Sequence, residues 1–458
     1  MQHYDAIVIG TGQSGPSLAK RLAASGMTVA IIERKLFGGT CVNTGCTPTK
    51  ALVASAYAAH MVARAEEFGV IVEGKARIDI KRVKDRMRDI VRPSTQGVER
   101  SLRAAERVTV CHDHARFVSP REVSVGSEVL SADKIFINVG GRATVPDMPG
   151  LDKVEYFTNS TLLVSDVLPK HLIVVGGSYI GLELAQIYRR FGSEVTVIEM
   201  SSRLVPREDE DVSASIQDIL ERERIGIRLN AECLSVGKRG AEITANVECT
   251  EGAPEVAGSH LLLAVGRRPN TDDLGLDKAG VATDERGFIK VDDELRTNVP
   301  GIWALGDCNG RGAFTHTSWN DFEIVAGNLL DKDVRRVADR IVAYGLYTDP
   351  PLGRVGMTEA QVRKSGKPAL IGTMAMEDVG RAYEKGETLG FMKVLIDQET
   401  KQFLGASILG TGGDEAVHCI MDLMYAKAPY TVMQRAVHIH PTVSEFLPTL
   451  LGELKPLT

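Results

Sequence analysis

The sequence has no long apolar run and no excess of positive charge. In the 458-residue sequence, no apolar stretch approaches the ~20 residues that a membrane-spanning helix needs. The formal net charge is −6, so the chain offers no general attraction to a polyanion. We therefore predict neither a membrane partner nor a nucleic-acid partner.

Cysteine is also scarce. The chain has seven cysteines, an odd number spread widely along it, which is not the pattern of a secreted disulfide framework. An apolar strand entered by Tyr4 leaves no room for a signal peptide, so we expect a cytoplasmic protein. We expect purely structural roles for Cys111, Cys233, Cys249, Cys308 and Cys419.

The remaining two cysteines, Cys41 and Cys46, stand in the stretch GGTCVNTGCTPTK, residues 38–50. Five positions of regular helix would separate them by roughly 7.5 Å of rise, whereas a disulfide needs Cα atoms within about 7 Å. We therefore expect an irregular backbone at Gly45, followed by a helix that begins near Pro48. The positive end of that helix would lower a thiol pKa and favour a redox-active pair. The alternative is two small buried apolar residues.

A dinucleotide-binding pattern precedes the cysteines. A buried strand runs into Gly10, Gly12 and Gly15, a helix follows, and a second strand ends in Glu33, 23 positions after Gly10. Such glycines allow a tight turn and close approach of a pyrophosphate to a helix N-terminus. The terminal carboxylate can accept a hydrogen bond from a ribose 2′-hydroxyl.

The same pattern occurs again after residue 170. Gly176, Ser178 and Gly181 open a helix after a strand, and the next strand ends in Glu199, again 23 positions on. Glu199 favours NADH, because a ribose 2′-phosphate would face its carboxylate. Arg203 is near enough in sequence to keep NADPH open as an alternative.

The cysteine stretch resembles the active site of the flavoprotein disulfide reductases, the family of glutathione reductase, dihydrolipoamide dehydrogenase and mercuric reductase. The resemblance extends over essentially the full length. It implies an α/β fold like that of glutathione reductase, with two Rossmann-like domains and a C-terminal α+β dimerisation domain. The implied bounds are 1–145 for the FAD domain, 146–266 for the NAD(P) domain, 267–339 for the return to the FAD domain and 340–458 for the interface domain.

The resemblance also implies roles for individual residues. Cys41 would exchange with substrate, and Cys46 would lie against the flavin as a charge-transfer thiolate. Lys50 would stand near the flavin N5 and pair with Glu183, an acid that needs a cation because its helix neighbours are apolar. Tyr179 would cover the flavin until nicotinamide displaces it; the alternative is packing at the helix start.

Further flavin and nucleotide contacts follow from the same resemblance. Asp307, after a buried strand and a glycine, would bind a ribityl hydroxyl, and Gly140 and Gly266 end strands beside the two nucleotides. His316 begins the helical run 318–330, whose N-terminus would point at the flavin pyrimidine. A packing role for His316 is the alternative.

Near the end of the chain, HPTVSE resembles the family's acid–base motif. Glu445 would orient His440 and raise its basicity, which gives a general acid and base for thiol chemistry. In the family this histidine serves the cysteines of the other subunit, so we predict a homodimer that needs FAD and NADH.

The acceptor is the least defined part of the prediction. We rank a small disulfide or thiol first and a metal ion, Hg(II) or Cu(II), second, because residues 447–458 carry no cysteine that could deliver a soft metal. A redox-sensing flavoprotein ranks third. We expect no resident metal site, since His60, His112 and His114 have no partners at ligand spacing.

Overall fold

The structure is a computed structural model that describes residues 2–74, 76–249 and 252–457, without the side chain of Cys249. The predicted structural role of Cys249 therefore lies outside the described residues. The strands are β1 (Gln2–Ile9), β2 (Val29–Ile32), β3 (Val108–Cys111), β4 (Ala115–Ser119), β5 (Glu122–Val125), β6 (Glu128–Ile137), β7 (Gly141–Ala143), β8 (Tyr156–Phe157), β9 (His171–Val175), β10 (Glu194–Ile198), β11 (Gly226–Arg228), β12 (Ala231–Arg239), β13 (Glu242–Cys249), β14 (Glu255–Gly258), β15 (His260–Leu263), β16 (Arg267–Pro269), β17 (Ile302–Ala304), β18 (Ala343–Leu346), β19 (Leu352–Gly356), β20 (Ala369–Ala375), β21 (Phe391–Asp397), β22 (Phe403–Leu409) and β23 (Lys455–Pro456).

The α-helices are α1 (Gly15–Ala24), α2 (Gly39–Asn43), α3 (Cys46–Ala63), α4 (Ile80–Arg103), α5 (Asn159–Val164), α6 (Tyr179–Arg190), α7 (Glu210–Arg222), α8 (Leu276–Ala279), α9 (Thr315–Ala326), α10 (Glu359–Ser365), α11 (Gly380–Glu384), α12 (Gly413–Tyr425), α13 (Thr431–Gln434) and α14 (Leu447–Leu450). Among the described residues, no helix combines the length and the apolar character needed to cross a bilayer.

Two largely parallel sheets carry the dinucleotide patterns. The first has the order β3-β2-β1-β6-β5-β4, with β17 also paired to β6. The second, β11-β10-β9-β15-β8, is parallel throughout. The last four residues of β1, 6–9, are buried on both faces, as expected for a parallel strand covered by helices on each side.

Smaller antiparallel elements complete the fold. The sheet β12-β13-β14 packs its apolar face on the second parallel sheet, and the ribbon β7-β16 pairs the segment after β6 with the segment after β15. The C-terminal sheet, β18-β19-β22-β21-β20-β23, forms its own core with α12 and α14. The predicted fold class is confirmed, whereas the four domain bounds stay predictions.

Both glycine-rich turns are built in the same way. Gly10 has a φ of +104°, and a Cβ on it would lie 2.3 Å from the Asn138 carbonyl oxygen. A Cβ on Gly15 would lie 2.1 Å from the Gly10 oxygen, and one on Gly181 would lie 2.1 Å from the Gly176 oxygen. Only glycine fits at these positions, because backbone from the neighbouring strand or turn fills the space of a side chain.

Two helix boundaries differ from the sequence prediction. The helix after the cysteines begins at Cys46 rather than near Pro48, and a separate short helix, α2, holds Cys41. The break at residues 44–45 is the expected irregularity. Helix α9 begins at Thr315, so His316 lies in its first turn, and a π-helical segment, Gly327–Asp331, follows α9.

A buried lysine joins three helices beside the second sheet. Lys84 of α4 is fully buried, and its Nζ donates to the carbonyls of Leu162 and Leu163 at 2.9 and 3.0 Å and to the Tyr188 hydroxyl at 3.0 Å. Burial lowers the pKa of Lys84 from 10.5 to about 8, because the interior disfavours the charged form.

We predict that the Lys84→Met variant changes the pH dependence of stability. The unfolded chain binds more protons than the folded chain between the two pKa values, so the contribution of Lys84 to stability rises as the pH increases from about 8 to 10.5. Urea unfolding should show the wild-type advantage in free energy of unfolding growing by about 1–3 kcal/mol over this range. Lys81→Met, at an exposed position of α4, is the control and should show a constant difference. A constant difference for Lys84→Met would contradict the prediction.

Candidate active site

An open cleft of about 2120 Å³ brings both glycine-rich turns and both cysteines together. Its walls include most of the site residues predicted from the sequence: Gly10, Gly12, Glu33, Cys41, Cys46, Lys50, Gly140, Gly176, Ser178, Tyr179, Glu183, Glu199, Gly266, Asp307 and His316. Gly15 and Gly181 lie just behind the walls, where they let helix and strand pack closely. His440 and Glu445 are not on these walls.

The two thiols are free and interact with each other across the α2–α3 break. The Cys41 thiol donates to Cys46, and this bond, with smaller help from Thr315 and Lys50, lowers the pKa of Cys46 to about 6. The same contact raises the pKa of Cys41, and burial adds to the rise. Cys46 is the first residue of α3, where the helix dipole also favours a thiolate. The pair therefore holds one negative charge, centred on Cys46.

Thr315 is a contact that the sequence analysis did not identify. Its Oγ1 lies 3.2 Å from the Cys46 sulfur, and Thr315 is the first residue of α9. Two helix N-termini, those of α3 and α9, thus meet at one sulfur. A lone threonine next to a histidine carries no motif that could have indicated this role.

Lys50 is held from two sides. Its Nζ lies 2.7 Å from the Glu183 carboxylate, which confirms the predicted pair, and 4.3 Å from the centre of the Tyr347 ring. Tyr347 also donates its backbone N–H to the other Glu183 oxygen at 3.0 Å. Glu183 is buried, so its charge depends on these partners. The ammonium group of Lys50 is thereby fixed one helical turn after Cys46.

The first glycine-rich turn, between Gly10 and Gly15, fits the FAD that the family resemblance implies. Helix α1 begins without a side-chain cap, so its first N–H groups are available to a pyrophosphate. Glu33 accepts from the Thr11 N–H and hydroxyl at 3.1 and 2.6 Å and from the Lys35 N–H at 2.9 Å. A carboxylate has about four acceptor positions, which leaves one for a ribose hydroxyl.

The second glycine-rich turn, between Gly176 and Gly181, likewise offers free helix N–H donors and a carboxylate acceptor. Helix α6 begins at Tyr179 without a side-chain cap, after Ser178 at the N-cap position. Glu199 accepts from the Gly177 N–H at 2.6 Å and from the Ser201 N–H at 2.8 Å, so about two acceptor positions remain. The residues at both turns therefore suit dinucleotides.

Asp307 lies on the wall of the same cleft and is partly paired. Burial raises the pKa of its carboxyl, and Arg267, 3.7 Å away, opposes that rise. The loop that carries Asp307 is held by Asp321, which accepts from the Gly306 N–H at 2.7 Å and from the Asn309 amide at 3.0 Å. Asp321 is a second residue that no sequence motif indicated.

His316 has contacts that suit packing as well as cofactor binding. Its Nε2 lies 2.7 Å from the Ala343 carbonyl, and its ring stacks on Phe314 at 5.4 Å. Burial lowers the pKa of His316, so the ring is neutral at pH 7. Its assignment to the flavin stays a prediction.

The His440–Glu445 pair forms as predicted, but away from the cysteines of its own chain. The Nδ1 of His440 lies 3.1 and 3.0 Å from the two Glu445 oxygens, while the side chain is 81% exposed. Neighbouring Val437 and Ile439 are 100% and 80% exposed. The pair thus stands on an open, partly apolar surface.

We predict that Thr315→Val raises the pKa of Cys46 in the reduced protein by about one to two units, since the loss of one hydrogen bond to a charged group is worth roughly 1.5–3 kcal/mol. The measurement is the rate of iodoacetamide alkylation of Cys46 against pH, followed by peptide mass mapping. Thr315→Ser keeps the hydroxyl and should titrate near 6, as the wild type does. Equal midpoints for valine and serine would contradict the assignment.

Comparison with curated proteins finds relatives along nearly the whole chain. The probable pyridine nucleotide-disulfide oxidoreductase RclA of Escherichia coli is 35% identical, covering 99% of this chain and 100% of its own. A dihydrolipoyl dehydrogenase of Thermus scotoductus is 36% identical (98% and 96%), and a mercuric reductase of Streptomyces lividans is 33% identical (97% and 94%). Among solved structures, the HOCl-induced flavoprotein disulfide reductase RclA from Escherichia coli superposes with a TM-score of 0.90 at 34% identity, covering 99% of this chain and 100% of that one.

Residues 4–321 match the family described as pyridine nucleotide-disulphide oxidoreductase, and residues 342–451 match the dimerisation domain of that family. The second match indicates a homodimer. The cofactors of this family are FAD and a pyridine nucleotide. The two uncapped helix N-termini, those of α1 and α6, suit the pyrophosphates of both. The chain thus belongs to the pyridine nucleotide-disulphide oxidoreductases, and it acts as an NAD(P)H-dependent oxidoreductase of disulfides.

Proposed function

We propose that this protein transfers an electron pair from NADH to a Cys41–Cys46 disulfide and from the resulting dithiol to a small disulfide acceptor. The observation that carries the proposal is the position of the two thiols on the wall of a cleft that both dinucleotide turns also line. NADH and one proton reduce the disulfide to two thiols, and the acceptor disulfide then takes the same two electrons and two protons.

In the first half-reaction the chain holds and orients the reactants. FAD supplies hydride acceptance from the nicotinamide and two-electron transfer to the disulfide. Gly10 and Gly12 let the backbone approach one pyrophosphate, and Gly176 and Ser178 do so for the other. Lys50, fixed by Glu183, places a positive charge near the thiols, where negative charge develops on reduction.

In the second half-reaction Cys41 is the attacking thiol. Its raised pKa means that it needs a base, and His440 of the partner subunit takes its proton. The Cys41 sulfur bonds to one acceptor sulfur, and the other acceptor sulfur leaves with that proton as a thiol. The Cys46 thiolate then attacks Cys41, which restores the disulfide and releases the second acceptor sulfur as a thiolate. That thiolate takes a proton from solvent, which replaces the proton that Cys46 released when its own thiolate formed.

A shared active site accounts for the position of the His440–Glu445 pair. Within one chain the pair is off the cleft and its imidazole is largely exposed. The exposed Val437 and Ile439 beside it would become buried against a second copy, in keeping with the dimerisation domain.

NADH is the proposed donor because of Glu199. Its carboxylate ends β10 beside the second turn, where a 2′-phosphate would meet a negative charge. Arg203, the residue that kept NADPH open, pairs with Glu210 at 3.2 Å. Arg207 rather than Arg203 lines the cleft.

A metal ion is the second candidate acceptor. Structures of the related RclA include Cu(II) complexes, and another relative is a mercuric reductase. Thiolates such as Cys46 bind soft metals. Among the described residues, however, no cluster of three or more histidine, cysteine or carboxylate side chains could hold a metal ion.

We also propose a cytoplasmic location. Burial raises the pKa of Cys111, Cys233 and Cys308, and all three are free thiols. Unpaired thiols outside an active site are typical of a reducing compartment.

We predict opposite spectral effects for the two cysteine variants. Anaerobic NADH should give the wild type a long-wavelength charge-transfer band. Cys46→Ser should lose the band, because the thiolate against the flavin is gone, and Cys41→Ser should show it without reductant. Cys419→Ser, far along the chain in α12, is the control. A band that persists in Cys46→Ser would contradict the assignment of the two sulfurs.

The acceptor is tested by steady-state turnover with glutathione disulfide, lipoamide, cystine, Hg(II), Cu(II) and a quinone. We expect a disulfide to give the highest kcat/KM and Cys41→Ser to abolish that turnover. Turnover with a metal ion and with none of the disulfides would make the metal-ion reductase the better description.

We predict that kcat/KM for NADH exceeds that for NADPH by about tenfold or more, and that Glu199→Gln narrows the ratio, because loss of a charged hydrogen bond is worth roughly 1.5–3 kcal/mol. Glu194→Gln, exposed at the start of β10, is the control and should keep the wild-type ratio. A tenfold preference for NADPH would contradict the role of Glu199.

A further inference from the structure

Tyr179 stands in an aromatic cluster with Phe314 and Tyr344. Its ring meets Tyr344 edge-on at 5.6 Å and Phe314 edge-on at 6.3 Å, while Phe314 and Tyr344 stack at 5.5 Å. Tyr179 begins α6 beside the second turn, whereas Tyr344 belongs to β18 of the C-terminal sheet. The cluster therefore links the nucleotide-binding turn to the C-terminal part of the chain.

One carboxylate oxygen of Glu208 accepts a hydrogen bond from each of two tyrosine hydroxyls, and the two bonds differ in length. Oε1 of Glu208 accepts from the Tyr344 hydroxyl at 2.6 Å and from the Tyr179 hydroxyl at 3.4 Å. The first distance is that of a strong charge-assisted bond and the second is at the limit of a hydrogen bond. Tyr344 is thus held firmly, and Tyr179 is held loosely.

Glu208 is completely buried, so its charge needs partners. Its side chain has no exposed surface, and its Oε2 has no hydrogen-bond donor among the described residues. The nearest cation is Arg354 of β19, at 3.9 Å, whose own guanidinium nitrogens likewise have no hydrogen-bond acceptor in the described chain. Arg354 offsets the charge of Glu208 but donates no bond to it. Among the described residues, the Glu208 carboxylate accepts its hydrogen bonds from the hydroxyls of Tyr344 and Tyr179.

The segment that carries Glu208 is itself clamped to the C-terminal sheet. Asp209 lies 3.7 Å from Arg354 and 3.2 Å from the buried Lys393, and it accepts from the Glu359 N–H at 3.0 Å. Asp211 adds two oxygens at 2.8 Å from Lys393. These contacts hold the backbone at Glu208 in place, so either tyrosine can move while the Glu208 carboxylate stays where it is.

We infer that Glu208 and Tyr344 are positioning residues that form a release latch for Tyr179. The inference rests on the proposed function and on the role that the family resemblance implies for Tyr179, which would cover the flavin until the nicotinamide displaces it. When Tyr179 leaves, Glu208 keeps its short bond from Tyr344, so no buried carboxylate is left without a donor. The movement gives up the 3.4 Å bond and the edge-on ring contacts of Tyr179, but it leaves the buried carboxylate with its strong donor.

Removal of the Tyr344 hydroxyl changes this balance. Glu208 would then receive its one remaining hydrogen bond from Tyr179, and each opening of the ring would leave a buried charge unsatisfied. Leaving a buried acceptor without a donor is costly. Tyr344→Phe should therefore hold Tyr179 closed and slow hydride transfer, although Tyr344 contacts neither thiol.

The test is stopped-flow reduction of the FAD-bound homodimer by saturating NADH, with four variants. Tyr344→Phe should reduce the flavin about fivefold more slowly or worse, the factor that corresponds to about 1 kcal/mol. Reoxidation of the reduced enzyme by a disulfide should keep its rate. Tyr179→Phe removes the hydroxyl that becomes trapped, so the double variant Tyr179→Phe/Tyr344→Phe should be reduced as fast as Tyr179→Phe alone. Tyr383→Phe, 74% exposed on α11, is the control.

Rescue by the second substitution separates a latch from a structural role. General damage by Tyr344→Phe would slow both half-reactions and would persist in the Tyr179→Phe background, and either result would overturn the inference. So would an unchanged or faster reduction of Tyr344→Phe. Failure of the wild type to be reduced by NADH would instead refute the proposed function, which keeps the two failures distinct.

Discussion

The arrangement depends on the contact between Cys41 and Cys46 at the N-terminus of α3. Because two sulfurs five residues apart cannot meet within one regular helix, the chain ends α2 at Asn43 and starts α3 at Cys46. That break places one sulfur where a helix dipole stabilises its negative charge. It also points Lys50 of the same helix at Glu183, so the local charge is fixed by a partner more than a hundred residues away.

A second constraint is the close approach of backbone at the two glycine-rich turns. At each turn a glycine sits against the next parallel strand, and a second glycine sits against the first. The result is a pair of uncapped helix N-termini on one cleft, whose walls also carry the two cysteines. In each parallel sheet the glycine-rich turn follows the carboxyl end of an interior strand, β1 or β9, which is where nucleotides bind in open α/β sheets.

Motifs in the sequence predicted the parts whose geometry is local. The turns at Gly10 and Gly176, the cysteine pair and the His440–Glu445 contact each lie within a short stretch, so residue types at fixed spacing define them. Thr315, Tyr347 and Glu208 were not predicted, since each acts through tertiary contacts with distant elements and none has a distinctive neighbour in sequence. The start of α3 was misplaced by two residues because Pro48 is equally acceptable later in a first turn.

The central claim is that the two sulfurs store an electron pair in addition to the flavin. Anaerobic titration with a calibrated reductant measures this directly as the electrons taken up per chain. The account predicts that the wild type takes up about four electrons per chain, two for the disulfide and two for the flavin. It predicts about two electrons per chain for Cys46→Ser. Uptake of about two electrons by the wild type would mean that the sulfurs take no part, and would contradict the account.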